Sequence, residues 1–160
     1  MILFGMLLLA FLYMSPVTPA TSVAATDETT VVSEEETSEN QGDPDAMVDE
    51  ALRQLQSGEV PPMQGILKIR EVAEKYPGNV KANFTLGMLS MQTGQYAKAV
   101  GRFETVIEQQ PENADAWYLL TKSQLNIGDT INAKQSFEKT LTLVNEETGN
   151  EYKKELPELE

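Results

Sequence analysis

The sequence contains no cysteine and no histidine among its 160 residues. These absences exclude disulfides, Cys/His zinc sites, a thiol nucleophile, a Ser-His pair and a haem-attachment motif. Any catalytic group would have to be a carboxylate, a lysine, a tyrosine or a serine, and no such groups stand in an arrangement that indicates an active site. The sequence therefore predicts a protein that is not an enzyme and has no catalytic residues, no metal site and no cofactor.

Basic residues are also few, with 12 Lys and Arg against 25 Asp and Glu and a formal net charge of −13. Phosphate backbones are bound by basic surfaces, so this balance argues against a nucleic-acid partner. The acidity is uneven, because residues 1–50 hold ten acids and no base whereas residues 51–144 hold nine acids and ten bases. This distribution indicates a nearly neutral folded part between acidic extensions.

Residues 1–25 begin with an apolar run and continue with prolines and small residues. As a helix, the run from Ile2 to Met14 would be about 20 Å long, against about 30 Å for the apolar core of a bilayer. That length is typical of a signal peptide, and the small residues around Val23 offer a cleavage site, although no Lys or Arg precedes the run. Two interpretations stay open, a cleaved signal peptide and a retained single N-terminal membrane anchor. Either predicts an exported protein, periplasmic or otherwise extracytoplasmic.

Residues 26–42 are rich in Thr, Ser and Glu and hold few large apolar side chains. Such a segment buries too little apolar surface to offset the entropy of ordering, so we expect a disordered acidic linker. Asp43 and Asp45 then suggest a calcium cluster, but the spacing lacks the glycine and the final glutamate of an EF-hand. Asp43 is better interpreted as the N-cap of a first helix.

Apolar residues recur at helical spacing beyond Asp43, and short turns containing Gly or Pro interrupt them. This pattern predicts an all-α fold. The helices are expected at about 44–57, 61–75, 80–92, 96–109, 114–126, 130–145 and 150–156.

Small and large residues repeat along these helices with a period of 34 residues. The repeated pairs are Gly94 and Gly128, Ala99 and Ala133, and Phe103 and Phe137. Together with Leu86-Gly87, Tyr96, Pro111, Trp117 and Leu120, they match consensus positions of the tetratricopeptide repeat family, which this chain resembles. The resemblance implies an α-solenoid of three helix-turn-helix units, at about 46–79, 80–113 and 114–145 within a domain spanning 43–145. The first unit is degenerate, and residues 146–160 would form a short capping helix and an acidic tail.

Each matched residue has a physical role. Paired helices approach closely only where a side chain is small, so Gly87, Ala99 and Ala133 are expected at the helix crossings. Gly94 and Gly128 are expected to adopt positive φ in the turns, a conformation that strains other residues.

The resemblance also implies a binding surface, because first helices of successive units line a concave groove in this family. The corresponding positions predict an apolar, methionine-rich groove that binds a peptide or helix of a protein partner. Its predicted residues are Met47, Lys81, Phe84, Met88, Met91, Tyr118, Lys122 and Leu125. For any one of these residues, packing against a neighbouring helix is the alternative. Glu50 and Asp115 stand where members that bind chaperone C-termini need cations, which argues against that ligand.

The chain resembles N-terminally anchored or exported bacterial proteins of this family. That resemblance implies a non-catalytic protein–protein interaction module that assists protein assembly in the cell envelope. The alternative is a scaffold that self-associates into a homo-oligomer.

Overall fold

Residues 42–159 are described by a computed structural model. In this part of the chain all regular secondary structure is helical. The elements are α1 (Pro44–Ser57), α2 (Pro62–Lys75), α3 (Val80–Gln92), α4 (Tyr96–Gln109), α5 (Ala114–Asn126), α6 (Thr130–Leu143), α7 (Glu146–Glu155) and a C-terminal 3-10 turn (Pro157–Leu159). The expectations for residues 1–25 and for the linker up to residue 41 lie outside the described residues.

Six of the helices form three consecutive pairs, α1 with α2, α3 with α4, and α5 with α6. The first helix of each later pair also packs against the preceding pair, so α3 contacts both α1 and α2, and α5 contacts both α3 and α4. Each pair shares apolar surface with the next, as stacked repeats do because one pair cannot bury its own apolar face. The predicted fold class, an α-solenoid of three helix-turn-helix units with a short capping helix, is confirmed.

Asn and Asp side chains cap the first turn of five helices. The predicted N-cap Asp43 accepts a hydrogen bond from the Asp45 backbone N–H at 3.0 Å. In the next two units Asn79 and Asn113 accept hydrogen bonds from the backbone N–H groups at the starts of α3 and α5. Asn145 accepts from the Thr148 N–H at 2.9 Å. This cap explains why α7 begins at residue 146 rather than near 150 and why α6 ends before 145, since an N-cap residue lies outside both helices.

The turns inside the three units each contain a glycine with positive φ: 71° at Gly58, 70° at Gly94 and 79° at Gly128. The predictions for Gly94 and Gly128 are confirmed. A Cβ at any of the three would meet no atom within 4 Å. Backbone conformation rather than crowding therefore requires glycine at these turns.

The small residues expected at the helix crossings are closely packed. A Cβ on Gly87 would stand 2.7 Å from Cε1 of Phe103, so α3 and α4 could not approach this closely with a larger residue there. Ala99 and Ala133 are completely buried. In the first unit the close approach is between Gly65 and Leu55, where a Cβ would lie 2.4 Å from the leucine Cγ.

The C-terminal end of the array is covered. Leu156 and Leu159, from the end of α7 and the 3-10 turn, are buried against Tyr118 and Phe137 of the third unit. Among residues 42–159, no helix combines the length and apolar character needed to cross a membrane.

Candidate protein-interaction surfaces

The first helices α1, α3 and α5 succeed one another along one side of the array, where the groove was predicted. On α3, Met88 is 39% exposed. Lys81 is partly exposed, and its Nζ lies 2.6 Å from the Asp49 carboxylate of α1. This hydrogen bond raises the pKa of Lys81. The structure thus leaves Lys81 and Met88 accessible on one helix.

Phe84 and Met91 pack against the apolar cluster between the second and third units. The Phe84 ring meets Phe103 edge-on, with centroids 5.8 Å apart and an interplanar angle of 72°. Both residues are partly buried in a cluster that includes Trp117 and Leu120 of α5. Much of their apolar surface therefore joins the second unit to the third, which was the alternative given for single groove residues.

Tyr118 and Leu125 of α5 are covered by the C-terminal cap. The Tyr118 ring stacks on Tyr152 of α7, with centroids 3.9 Å apart and planes within 10°. Its hydroxyl donates a hydrogen bond to the Glu155 carboxylate, and the residue is only 9% exposed. Leu125 packs in the same cluster. The expected groove is therefore closed at these two positions, because side chains of α7 and of the C-terminal turn cover them.

Lys122 lies at the edge of this cap. Its Nζ is 3.7 Å from the Glu155 carboxylate and 5.2 Å from the centroid of the Tyr118 ring. Burial, with the hydrogen bond to Glu155 as the second cause, raises the pKa of Tyr118, and burial likewise raises the pKa of Tyr152. The contact thus favours a neutral tyrosine beside a carboxylate and a lysine.

Met47 does not join the other predicted residues. It is 42% exposed and lines a depression of about 470 Å³ on the outer side of the first unit, together with Val72 and Lys68 of α2. A shift of 35 residues places both buried residues of α1, Val48 and Ala51, on the buried Asn83 and Leu86 of α3, whereas a shift of 34 places Ala51 on the only partly buried Thr85.

The one-residue difference arises in the turn of the first unit. Four residues, 58–61, connect α1 to α2, whereas three, 93–95, connect α3 to α4. A 34-residue period that ignores the extra turn residue assigns each position of α1 one residue out of register. On a helix, one residue corresponds to a rotation of about 100°. That rotation moves Met47 from the predicted groove to the open end of the array.

On α1, Arg53 forms hydrogen bonds with two carboxylates, at 2.8 Å to both Glu50 and Glu59. The bond from Arg53 lowers the pKa of Glu50 to about 2. Glu50 therefore stays ionised, and an anion paired with Arg53 stands where members that bind chaperone C-termini need a cation. Among the described residues, no group of three Asp or Glu is placed to hold a metal ion.

A second surface was not anticipated from the sequence. A cleft of about 530 Å³ lies between α2, α3 and α4, and we call it the second-helix cleft. Arg70, Lys98 and Arg102 line it above the apolar residues Met63 and Ile66. Its charged residues lie on α2 and α4, which are separated in the sequence, and the packing of both helices against α3 brings them together. A 34-residue consensus carries no signal for such a site.

The three stacked units and their consensus crossings define a tetratricopeptide-type helical repeat protein, and repeat arrays of this type are generally non-catalytic interaction modules. A tetratricopeptide repeat family model matches residues 66–123. The suspected resemblance to this family is thereby confirmed.

Several solved structures are similar to this chain. AMB-1 MamA is 27% identical, with a TM-score of 0.55 over 63% of this chain and 54% of MamA. MamA from Desulfovibrio magneticus RS-1 is 17% identical, with a TM-score of 0.56 over 75% of this chain and 77% of that chain. SycD, the Yersinia enterocolitica type III secretion translocator chaperone, is 15% identical, with a TM-score of 0.63 over 76% of this chain and 88% of SycD. The chain spans about half the length of AMB-1 MamA, and the two less identical structures show the fold alone. No curated protein matches the chain at a significant level.

Proposed function

We propose that this protein is a non-catalytic adaptor that binds a peptide or a helix of a partner protein along α3 and α5. The contacting residues are Lys81, Met88 and Lys122, which we call the α3–α5 row. We further propose that it acts at the extracytoplasmic face of a membrane, as an accessory in envelope protein assembly.

The exposure of Met88 is the observation that carries this proposal. Within α3 and α5 it is the large apolar side chain that remains more than a third exposed, and methionine adapts to apolar partners of different shapes. Lys81 is held by Asp49 of α1, and Lys122 lies 3.7 Å from the Glu155 carboxylate of the capping helix α7. The two cations are thus oriented by the fold beside an accessible apolar side chain.

The proposed location rests on the sequence of residues 1–25, whose apolar run and following small residues are typical of an export signal. One structural relative is a secretion translocator chaperone by name. Because the two chains share the fold at only 15% sequence identity, that name supports the binding of another polypeptide only through the shared fold.

Site-specific photo-crosslinking tests the proposed row. A photoreactive amino acid placed at position 88 is expected to capture a protein partner in the native envelope, whereas the same group at the exposed position 104 of α4 is not. A soluble competitor carrying Met88→Glu should leave capture unchanged, while the parent competitor should suppress it. Equal capture from both positions would place the partner elsewhere and reject the row.

Self-association is the second candidate function, and the open end of the array favours it. The C-terminal end is covered by α7, whereas the depression beside Met47 and Val72 at the opposite end has no covering residue within 42–159. Two copies meeting through this end would bury Met47 and close the assembly, as an isologous contact requires.

Light scattering over a concentration series tests this second candidate. A dimer that Met47→Glu converts to a monomer, and that Ile131→Glu leaves intact, would establish the end-to-end contact. Ile131 is the matched control because it is 74% exposed near the start of α6, away from this end of the array. A parent protein that is monomeric at all concentrations would exclude self-association through this surface.

A further inference from the structure

The second-helix cleft lies on the side of the array formed by α2 and α4, away from the α3–α5 row. Its volume of about 530 Å³ falls within the range of about 300–1,000 Å³ that is common for ligand pockets. Open space surrounds Gly101 in its lining, since a Cβ there would find no atom within 4 Å. The cleft can therefore accept side chains of another molecule without rearrangement of the helices.

The charge of the cleft is opposite to that of the whole protein. Arg70, Lys98 and Arg102 line it, and no carboxylate does. Within residues 42–159, none of these three cations forms an ion pair, whereas Arg53 and Lys81 do. In a chain of net charge −13, three uncompensated cations around one cleft create a local site for anions.

The guanidinium of Arg102 is held in place by the buried side chain of Asn83. Its Nη1 donates a hydrogen bond to Oδ1 of Asn83 at 2.8 Å. Asn83 is 1% exposed, and its amide nitrogen donates to the carbonyls of Pro77 and Asn79 at 2.7 and 2.8 Å. A guanidinium fixed in this way loses little further freedom on binding, and its remaining N–H donors match carboxylate geometry.

The floor of the cleft is apolar. Met63 is 63% exposed, and Ile66, Leu86 and Leu89 line the same cleft. Leu67, one turn further along α2 from Met63, is 48% exposed. A ligand that pairs only with the cations would leave this apolar surface in water, so the combination favours a ligand with both anionic groups and an aliphatic side chain.

We propose that the second-helix cleft is a second protein-binding site, which takes an acidic peptide segment of a partner. Carboxylates of the segment pair with Arg70, Lys98 and Arg102, and one aliphatic side chain packs on Met63 and Ile66. The site is independent of the α3–α5 row, so the protein can hold two different segments on opposite faces of one array.

Fluorescence anisotropy with the full chain and labelled hexapeptides tests this proposal. The probe Glu-Glu-Leu-Val-Glu-Glu is expected to bind, and binding should weaken as salt rises because the pairs are partly exposed. Gln-Gln-Leu-Val-Gln-Gln, which lacks the charges, and Glu-Glu-Gly-Ser-Glu-Glu, which lacks the aliphatic groups, should each bind at least about tenfold more weakly.

Two variants assign the binding to the cleft. Arg70→Gln with Lys98→Gln should weaken binding at least about tenfold, and Gly101→Leu should weaken it without any change of charge by filling the open space. The control is Lys134→Gln with Lys154→Gln, which removes the same charge from exposed positions outside the cleft. Unfolding curves recorded for each variant show that the fold is retained.

Three results would overturn the proposal. They are failure of the acidic probe to bind, equal weakening by the cleft and control double variants, and binding of phosphatidylserine vesicles in place of the peptide. The second result would mean a response to net charge alone, and the third would mean a membrane-surface site. Met88→Glu should leave probe binding unchanged, so failure of this proposal and failure of the α3–α5 row are distinguishable.

Discussion

The first unit (α1–α2) and the second unit (α3–α4) both contain a close helix crossing between a small and a large residue, but the two residues lie on opposite helices in the two units. In the second unit the small residue, Gly87, is on the first helix and the large one, Phe103, is on the second. In the first unit the small residue, Gly65, is on the second helix and Leu55 supplies the bulk from the first. A close helix crossing thus requires one small and one large partner, but not a particular order.

The two units also differ in how rigidly the large partner is held. Phe103 is completely buried and contacts Phe84 and the third unit, so its ring has neighbours on every side. Leu55 is only partly buried at the open end of the array. Substitutions at the crossing of the second unit should therefore lower the stability more than those in the first unit, where the partly exposed side chains can rearrange.

The largest expected effect is the loss of the large partner. Phe103→Ala should lower the free energy of unfolding by about 3–5 kcal/mol, because it removes a fully buried ring and leaves a cavity beside Gly87. Leu55→Ala should lower it by about 2 kcal/mol, since the end of the array can collapse around a smaller residue. Urea unfolding followed by circular dichroism measures both, and equal losses would refute the distinction between a rigid core and an adjustable boundary.

The next effect comes from enlarging the small partner. Gly87→Ala should destabilise the fold by about 1–3 kcal/mol, because the new Cβ meets an immobile ring. Gly65→Ala should cost less, since the half-buried Leu55 can change rotamer. Thermal unfolding of the single variants should be compared with the double variant Gly87→Ala, Phe103→Leu. Phe103→Leu alone completes the comparison, and a cost of Gly87→Ala that is the same with and without Phe103→Leu would show that the ring is not the obstacle.

A pH-dependent effect should distinguish the capped end of the array from the open end. Burial and the bond to Glu155 raise the pKa of Tyr118 in the folded state above the value near 10 of an unfolded tyrosine. The stability that this contact contributes is complete below pH 10 and is lost as pH rises further toward the folded pKa. Between pH 9 and 11, Tm should fall by roughly 4 °C more in the parent than in Tyr118→Phe. The control variant Tyr96→Phe should follow the parent, and identical profiles for all three proteins would contradict the assignment.

The smallest expected effect is a gain. Gly101 lies within α4, has no positive φ and has open space around it, so Gly101→Ala should stabilise the fold by about 0.5–1 kcal/mol through helix propensity. Gly94→Ala should instead destabilise it, because residue 94 has φ of 70°, which strains any residue with a Cβ. Chemical unfolding of both variants checks the signs. A destabilising Gly101→Ala would mean that the cleft requires a glycine for a reason other than space.

The helices and turns were predictable because their signals are local. Asp43, the glycines with positive φ and the 34-residue spacing of Ala99 and Ala133 each act within one helix or one turn. The same local signal was present but overlooked at Asn145, an N-cap residue that sets the start of α7. For these elements the neighbouring residues contain the information, since hydrogen bonds and backbone dihedrals extend over only a few positions.

The candidate surfaces were predictable only in part. Lys81 and Met88 lie where the periodicity indicates, whereas Met47 is displaced by one additional residue in the first turn. Phe84 and Tyr118 have the same helical position as groove residues, yet the following helix covers them. Exposure depends on what packs next to a helix, and that neighbour belongs to a different part of the chain.

The sequence by itself determined that this chain forms paired helices stacked as tetratricopeptide-type units, because period, crossing residues and turn glycines are properties of short segments. Tertiary structure alone decided which side chains remain accessible. Packing of α7 over Tyr118, rotation of α1 through its longer turn, and convergence of Arg70, Lys98 and Arg102 on one cleft all join residues that are distant in the chain. The physical reason is that burial and electrostatic proximity are set by spatial neighbours.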